Sequence, residues 1–246
     1  DTLGDVPIAV TYNWQCDSVR VFDRRLNGET LTFAHSGLFR NSNTLMFDEP
    51  PATTDPAATT EATADATART ASLFQQITGE ALSGGFAGDQ LMILPAALTS
   101  WSAWLALHPS TTVMRENPEL IKRYKGANPQ TYFLTEALSY PVSPMPKDST
   151  IPLKMQCVSV EVDGVRRIFP IPMLLAVTAD RSTASVNGVE IAFVVDQVSH
   201  SVRVESIADQ GSPDDVLYAV WFAQHAFWPE AELVSQPTGP PVEASD

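Results

Sequence analysis

Ile8-Ala-Val-Thr-Tyr-Asn-Trp-Gln-Cys-Asp-Ser-Val-Arg-Val-Phe-Asp-Arg-Arg25 is the stretch that decides the fold, because a second copy of it occurs near the other end of the chain. Residues 8–21 align without a gap on residues 191–204, at an offset of 191 − 8 = 183. Six of the fourteen positions are identical, namely Ile8/Ile191, Ala9/Ala192, Ser18/Ser201, Val19/Val202, Arg20/Arg203 and Val21/Val204. Both copies have the strand–turn–strand texture of a hairpin, so the sequence predicts a duplicated β unit.

Turn signals outside these two copies also favour β structure. Asn27-Gly28, Asp163-Gly164 and Asn187-Gly188 separate short apolar runs, which is typical of two-residue hairpin turns. A helix is predicted over Trp101–His108, with Thr99 or Ser100 as its N-cap and Pro109 at its end. We therefore predict an α+β fold of mainly antiparallel β structure, with two pseudo-repeated β-rich halves and one or two helices between them.

The two halves are predicted to differ at their beginnings. A hairpin over residues 158–169 precedes the second copy of the repeat, whereas the first copy has no counterpart upstream. The first repeat is therefore expected to be truncated. Either upstream residues have been removed, or another chain completes the exposed edge.

Composition divides the chain into five predicted regions. The first β repeat occupies residues 1–48, and a helix-containing connection occupies residues 72–152 between it and the second β repeat at 153–234. Residues 49–71 are rich in Thr, Ala and Pro and are predicted to be a disordered insertion, because they lack the large apolar side chains that fold a segment. Residues 235–246 are predicted to be a flexible tail.

Charge excludes several classes of partner. The 246 residues carry a formal net charge of −14, whereas binding to nucleic acid or an anionic membrane requires a basic surface. No apolar run approaches the length of a membrane span. The two cysteines, Cys16 and Cys157, leave two alternatives open: a disulfide in an oxidising compartment, or two buried free thiols.

Three segments resemble a bacterial family of uncharacterised proteins, domain of unknown function 3179. The resemblance is carried by Thr11–Arg24, by Ser36–Asp48, which reads Ser-Gly-Leu-Phe-Arg-Asn-Ser-Asn-Thr-Leu-Met-Phe-Asp, and by Ser72–Leu82, which reads Ser-Leu-Phe-Gln-Gln-Ile-Thr-Gly-Glu-Ala-Leu. It implies no particular activity, since none is established for the family. Asn13 replaces the first Cys of the family's Cys-x-x-Cys pair, Trp14 replaces its Pro and Phe74 replaces a Trp. Ordinary dithiol chemistry is therefore not expected here.

The candidate site residues are one thiol and four amides. Cys16 is the candidate nucleophile if the protein is an enzyme, and Asn13, Asn41, Asn43 and Gln76 are candidate ligand-binding residues. Asn41 and Asn43 alternate within an extended stretch over residues 38–47, so both are expected on one face of a strand. An inert packed thiol and structural amides are the competing interpretations.

Motifs for other chemistry are missing from the sequence. The four histidines lack metal-ligand spacing, and no nucleophile elbow, P-loop or dinucleotide fingerprint occurs, so we expect no metal and no cofactor. The face formed by Trp101 and Trp104, and the aromatic cluster over residues 221–228, are interpreted as core or interface.

Two functions of different classes follow. The first is a non-catalytic structural or accessory subunit of an extracytoplasmic assembly, periplasmic or secreted, with other protein chains as partners. The second is a small-molecule-binding protein or thiol-dependent enzyme that uses Cys16 with the nearby amides. The sequence leans away from an enzyme because half of the family's thiol pair is lost.

Overall fold

The structure is a computed structural model that describes residues 1–49, 70–113, 115, 117–119, 129–147, 151–177, 180–207 and 211–234. Within these residues the chain forms two compact units, Asp1–Ala96 with Tyr140–Val142, and Ala97–Ser139 with Ser143–Asp246. Each unit is mostly antiparallel β structure, which confirms the predicted α+β class.

The described residues of the first unit form ten strands. They are β1 (Thr2–Leu3), β2 (Val6–Asn13), β3 (Ser18–Asp23), β4 (Arg25–Leu26), β5 (Glu29–Thr30), β6 (Phe33–Arg40), β7 (Asn43–Asp48), β8 (Leu73–Gln75), β9 (Ala81–Ser83) and β10 (Ile93–Leu94). Two four-stranded sheets have the orders β1-β2-β3-β10 and β6-β7-β8-β9, and β4-β5 is a separate hairpin. Their buried apolar core includes Phe22, Leu31, Met46, Phe74 and Leu91.

The part of the second unit that the structure describes contains four helices and seven strands. They are α1 (Trp101–Leu107), α2 (Gln130–Phe133), β11 (Gln156–Val162), β12 (Val165–Pro170), α3 (Ile171–Leu175), β13 (Arg181–Val186), β14 (Val189–Asp196), β15 (Ser201–Ser206), β16 (Asp215–Val220), α4 (Trp221–Phe227) and β17 (Glu232–Leu233). The sheets have the orders β16-β11-β12-β17 and β13-β14-β15. Valines from β11, Phe169, Phe193 and Tyr218 build the main core.

The predicted hairpin turns are confirmed. Asn27-Gly28, Asp163-Gly164 and Asn187-Gly188 connect β4 to β5, β11 to β12 and β13 to β14. All six residues have positive φ, between 48° and 85°. A two-residue type I′ turn needs this conformation at both central positions, and Asn, Asp and Gly adopt it most readily.

The predicted internal repeat is confirmed in strand length and register. Adding 183 to the bounds of β2 and β3 gives the bounds of β14 and β15. The pairs Ile8↔Asp23 and Asn13↔Ser18 in the first copy become Ile191↔Ser206 and Asp196↔Ser201 in the second. The same offset carries the β1–β2 pair Leu3↔Val6 onto the β13–β14 pair Val186↔Val189, so the repeated unit has three strands.

The extended stretch predicted over residues 38–47 is wrong. These residues form parts of β6 and β7, joined by a tight turn at Asn41-Ser42, where φ is 53° and 58°. Asn41 therefore lies in a turn and does not share a strand face with Asn43. Asn is among the few non-glycine residues that enter the left-handed region at low cost, so it suits a turn as well as a strand.

Other predictions have mixed outcomes. Cys16 and Cys157 are both free and buried, which agrees with the second of the two cysteine alternatives. Residues 50–69 and 235–246, the bulk of the predicted insertion and the whole predicted tail, lie outside the described residues. The boundaries of the five predicted regions stay a prediction. Among the residues that are described, no helix is long and apolar enough to cross a membrane.

Candidate functional site

Three polar side chains from separate parts of the first unit meet at its centre. Asn43 Nδ2 donates to Gln76 Oε1 at 2.7 Å and to Ser18 Oγ at 3.2 Å. Ser18 Oγ donates to the same Gln76 oxygen at 2.9 Å. All three residues are at most 2% exposed, so these bonds replace water on groups that would be costly to bury alone.

The other ends of the two amides are bonded as well. Asn43 Oδ1 accepts from Gln75 Nε2 at 2.6 Å and from the Ile77 amide at 3.0 Å. Gln76 Nε2 donates to Thr11 Oγ1 at 3.1 Å and to the Ser18 carbonyl at 3.2 Å. Asn43 and Gln76 therefore tie β7 and the end of β8 to the β2–β3 hairpin.

Asn13 supports the hairpin turn that carries Cys16. Its side-chain oxygen accepts from the Cys16 amide at 2.8 Å, and its nitrogen donates to Thr44 Oγ1 at 2.7 Å. The first contact is the local side-chain-to-backbone bond by which Asn stabilises turns. The Asn13 amide thus orders the turn that carries Cys16.

Cys16 lies against the β6–β7 turn as a buried thiol. The side chain is 0% exposed, and Sγ is 3.5 Å from the carbonyl oxygen of Ser42 and 3.9 Å from that of Asn41. Burial raises the pKa of the Cys16 thiol to about 12, outweighing the Asn43 side chain, which lowers it, while the charge of Asp17 also raises it. The thiolate is the nucleophilic form of cysteine, so this environment suppresses the chemistry that a catalytic Cys16 would need.

The structure brings Asn13, Cys16, Asn43 and Gln76 together, and Asn41 meets them through its backbone carbonyl. Sequence reasoning missed Ser18 and Gln75, which complete the hydrogen-bonded cluster. It also missed Arg20, which is 2% exposed and donates from Nε to the Ile77 carbonyl at 2.9 Å. Ser18 and Arg20 alternate with Val19 and Val21, a pattern that sequence alone reads as a solvent-facing strand side.

An open groove of about 520 Å³ adjoins the Gln76 amide. One of its sides is β2 over residues 8–12, and the other includes Phe33, Ala34, His35, Thr44 and Met46. Cys16 does not line this groove. The described residues contain no group of three or more His, Cys, Asp or Glu side chains that could hold a metal ion.

Comparison with known proteins gives one match. No curated protein and no solved structure matches the chain. The family model described as a protein of unknown function, DUF3179, matches residues 1–231 and so spans both copies of the repeat and the helices between them. By this match, the chain belongs to the DUF3179 family.

Proposed function

We propose that this protein is a non-catalytic accessory subunit of an extracytoplasmic assembly and that it binds a partner polypeptide along the outer edge of β2. The observation that carries the proposal is the exposure of apolar side chains and backbone hydrogen-bonding groups along β2 in the described residues. β13 pairs with β14 from Val189 to Val194, whereas β1 pairs only with Val6 and Pro7 of β2.

The backbone geometry shows which groups the edge presents. Ile8 exchanges two hydrogen bonds with Asp1, so its amide and carbonyl point away from β3. Because strand groups alternate in direction, the amides and carbonyls of Val10 and Tyr12 point the same way. At the counterpart of Tyr12, the Val195 amide donates to the Asp180 carbonyl at 2.8 Å. No described strand pairs with the edge at Val10 and Tyr12.

The exposure of the side chains also differs between β2 and β14. Val10 and Tyr12 are 66% and 55% exposed, and their counterparts Phe193 and Val195 are 0% and 3% exposed. An unpaired edge that presents apolar side chains is a template for an added strand, in which main-chain bonds supply affinity and side-chain pockets supply selectivity. The groove that adjoins β2 leaves space for such a strand beside this edge.

The state of the candidate site supports a non-catalytic role. The thiol of Cys16 is buried and held neutral, and the amides of Asn43 and Gln76 are engaged with other protein groups. Neither amide can act as a general base. These residues hold the first unit together, which is what a scaffold for a binding edge requires.

The test is the native mass of the protein isolated from its source, compared with a Val10→Lys variant. We expect the wild-type protein in a complex larger than its own monomer, and the variant mainly free. A lysine at this edge charges the surface that an incoming strand would cover. Val198→Lys is the matched control, because Val198 is 93% exposed in the β14–β15 turn.

Two outcomes would contradict the proposal. One is a wild-type protein that runs as a monomer in the native extract. The other is recovery of the protein in the cytosolic fraction when source cells are fractionated. Unchanged assembly of the Val10→Lys variant would move the contact away from β2.

The groove favours one second candidate, a small-molecule-binding protein. Its volume of about 520 Å³ lies in the usual range for ligand pockets, and Thr11, Thr44 and Gln76 offer polar groups along it. A compound released on denaturing the purified chain, and lost from a Thr44→Val variant, would support this candidate over the accessory subunit.

A further inference from the structure

Residues 100–108 repeat, at an offset of 221 − 101 = 120, the helix and cap conformation of residues 220–228, and the segment 97–113 thus corresponds in sequence to 217–233. α1 and α4 both have seven residues, and the identical positions are Trp101/Trp221, Ala103/Ala223, Ala106/Ala226 and Pro109/Pro229. The N-cap residues Ser100 and Val220 have φ, ψ of −76°, 153° and −69°, 155°, and the C-cap residues have −130°, 67° and −133°, 71°. The backbone bond Thr111 N to His108 O, 3.0 Å, corresponds to Ala231 N to Trp228 O, 3.1 Å.

In the second instance these elements enclose a hairpin. The sheet order β16-β11-β12-β17 places the β11–β12 hairpin between the strand before α4 and the strand after it. Trp221 and Phe222 of α4 are 5% and 0% exposed, and Gln224 Nε2 donates to the Cys157 carbonyl of β11 at 3.1 Å. Leu233 packs in the cluster that contains Cys157 and Ile168.

In the first instance Leu98 packs against the main core, but the helix and the residues after it have no such cover. Trp101 and Trp104 are 53% and 40% exposed, and α1 contains no buried residue. Val113, the counterpart of Leu233, is 71% exposed. Residues 97–99 make no backbone hydrogen bond to any described residue, whereas their counterparts in residues 217–219 all pair with β11.

The composition of this segment points to a covered surface. Residues 97–113 contain no Asp, Glu, Lys or Arg, in a chain that is 18% charged. An exposed, uncharged segment with two tryptophans has the composition of an interface centre, where charged residues are depleted and aromatic residues enriched. It contrasts with the solvated surface that a free helix of this length would need.

We propose that residues 97–113 form a docking slot for a β-hairpin of a partner polypeptide. One strand of the hairpin pairs antiparallel with residues 97–100, as β11 pairs with β16, and the other lies parallel to Thr112-Val113, as β12 lies beside β17. The face of the partner hairpin that contacts Trp101 and Trp104 carries small and aliphatic side chains. They correspond to Cys157 and Ile168, which cluster with Trp221 in the second instance. The occupant is thus an apolar two-stranded β element resembling Gln156–Pro170.

This proposal names the chemistry of the partner in the accessory-subunit proposal and rests on it for the existence of a partner. It is built from residues other than those of the β2 edge. The Val10→Lys variant therefore separates the two proposals. Failure of the peptide to bind residues 97–113 would leave the result at the β2 edge unaffected. Unchanged assembly of the Val10→Lys variant would likewise leave peptide binding to residues 97–113 unaffected.

The experiment adds a synthetic peptide with the sequence of residues 156–170, with Ser in place of Cys157, to the full chain. We expect a saturable shift of tryptophan emission to shorter wavelength, absent from a Trp101→Phe/Trp104→Phe variant. We also expect slower hydrogen exchange at the amides of residues 97–99. Val113→Asp should weaken binding by about tenfold or more, because it places a carboxylate against an apolar strand.

Leu134→Asp is the control, since Leu134 is 83% exposed and lies outside the slot. Equal weakening by Leu134→Asp and Val113→Asp would overturn the proposal, as would absence of saturation. The proposal would also be overturned if, without peptide, the amides of residues 97–99 exchanged hydrogen as slowly as those of residues 217–219. If that protection appears only as the chain dimerises, a second copy fills the slot and the partner hairpin is excluded.

Discussion

The β2–β3 and β14–β15 hairpins share length, register and turn position, yet the side chains at the outer edge of β2 are exposed and those of β14 are buried. Asp17 and His200 occupy the same turn position and have φ of 46° and 53°. β14 is covered by β13 along most of its length, and β2 is covered by β1 at two residues. Backbone pairing within a hairpin therefore does not determine whether its outer edge is core or surface. Neighbouring elements decide that.

The largest expected contrast lies at Val10 and Phe193, which are equivalent by the repeat. Phe193→Ala should lower the free energy of unfolding by about 3–5 kcal/mol, because the ring is fully buried and its removal leaves a cavity. Val10→Ala should cost about 0.5 kcal/mol or less, as expected for an exposed position. Urea unfolding followed by circular dichroism measures both. Similar losses for the two variants would mean that β2 is covered in the free chain.

The next contrast lies at Arg20 and Arg203, an identical pair in the alignment of the two copies. Arg20 is 2% exposed and bonds the Ile77 carbonyl, whereas the Arg203 side chain is 39% exposed and lies 3.3 Å from Glu205. Arg20→Met should cost about 2–3 kcal/mol, since it leaves a buried carbonyl without its donor. Arg203→Met should cost about 0.5 kcal/mol or less, the usual value of an exposed ion pair. Equal costs in urea unfolding would show that the guanidinium of Arg20 contributes nothing specific.

The smallest effect concerns the two thiols, one in each unit. Burial raises the pKa of Cys16 and of Cys157 to about 12, from an ordinary value of 9.0. Below pH 9 both states keep the proton and the full contribution to stability is present. Between pH 9 and 12 the unfolded chain loses protons that the folded chain retains, so stability falls as pH rises.

We expect a loss of about 1 kcal/mol per thiol from pH 9 to pH 10 in urea unfolding. Cys16→Ala and Cys157→Ala should each remove part of this slope. Rapid alkylation of Cys16 by iodoacetamide in the native chain at pH 7 would contradict the buried, neutral thiol.

Much of the fold was predictable because local chemistry determines it. Asn-Gly and Asp-Gly turns need a backbone conformation that few other residue pairs adopt. The repeated stretch occurs twice, so its two strands are predicted from two independent segments. The apolar run over residues 216–227 shows where local sequence no longer predicts the secondary structure. It divides at Val220/Trp221 into β16 and α4, and uniform hydrophobicity contains no period that marks such a change.

The candidate site was predictable in its members but not in its role. Asn43 and Gln76 are polar residues in otherwise apolar stretches, which marks them for a specific contact. Whether that contact is a ligand or another protein group depends on what folds against them. Here Ser18 and Gln75 fill their hydrogen-bonding positions, and only the tertiary structure places those partners.

The open edge of β2 also has a consequence for handling the protein. Exposed strand edges promote intermolecular stacking into aggregates, and mutual repulsion between molecules is one defence against it. With a net charge of −14 and an isoelectric point near 4.5, that repulsion is strong at neutral pH and disappears on mild acidification. The purified chain is therefore expected to lose colloidal stability near pH 4.5.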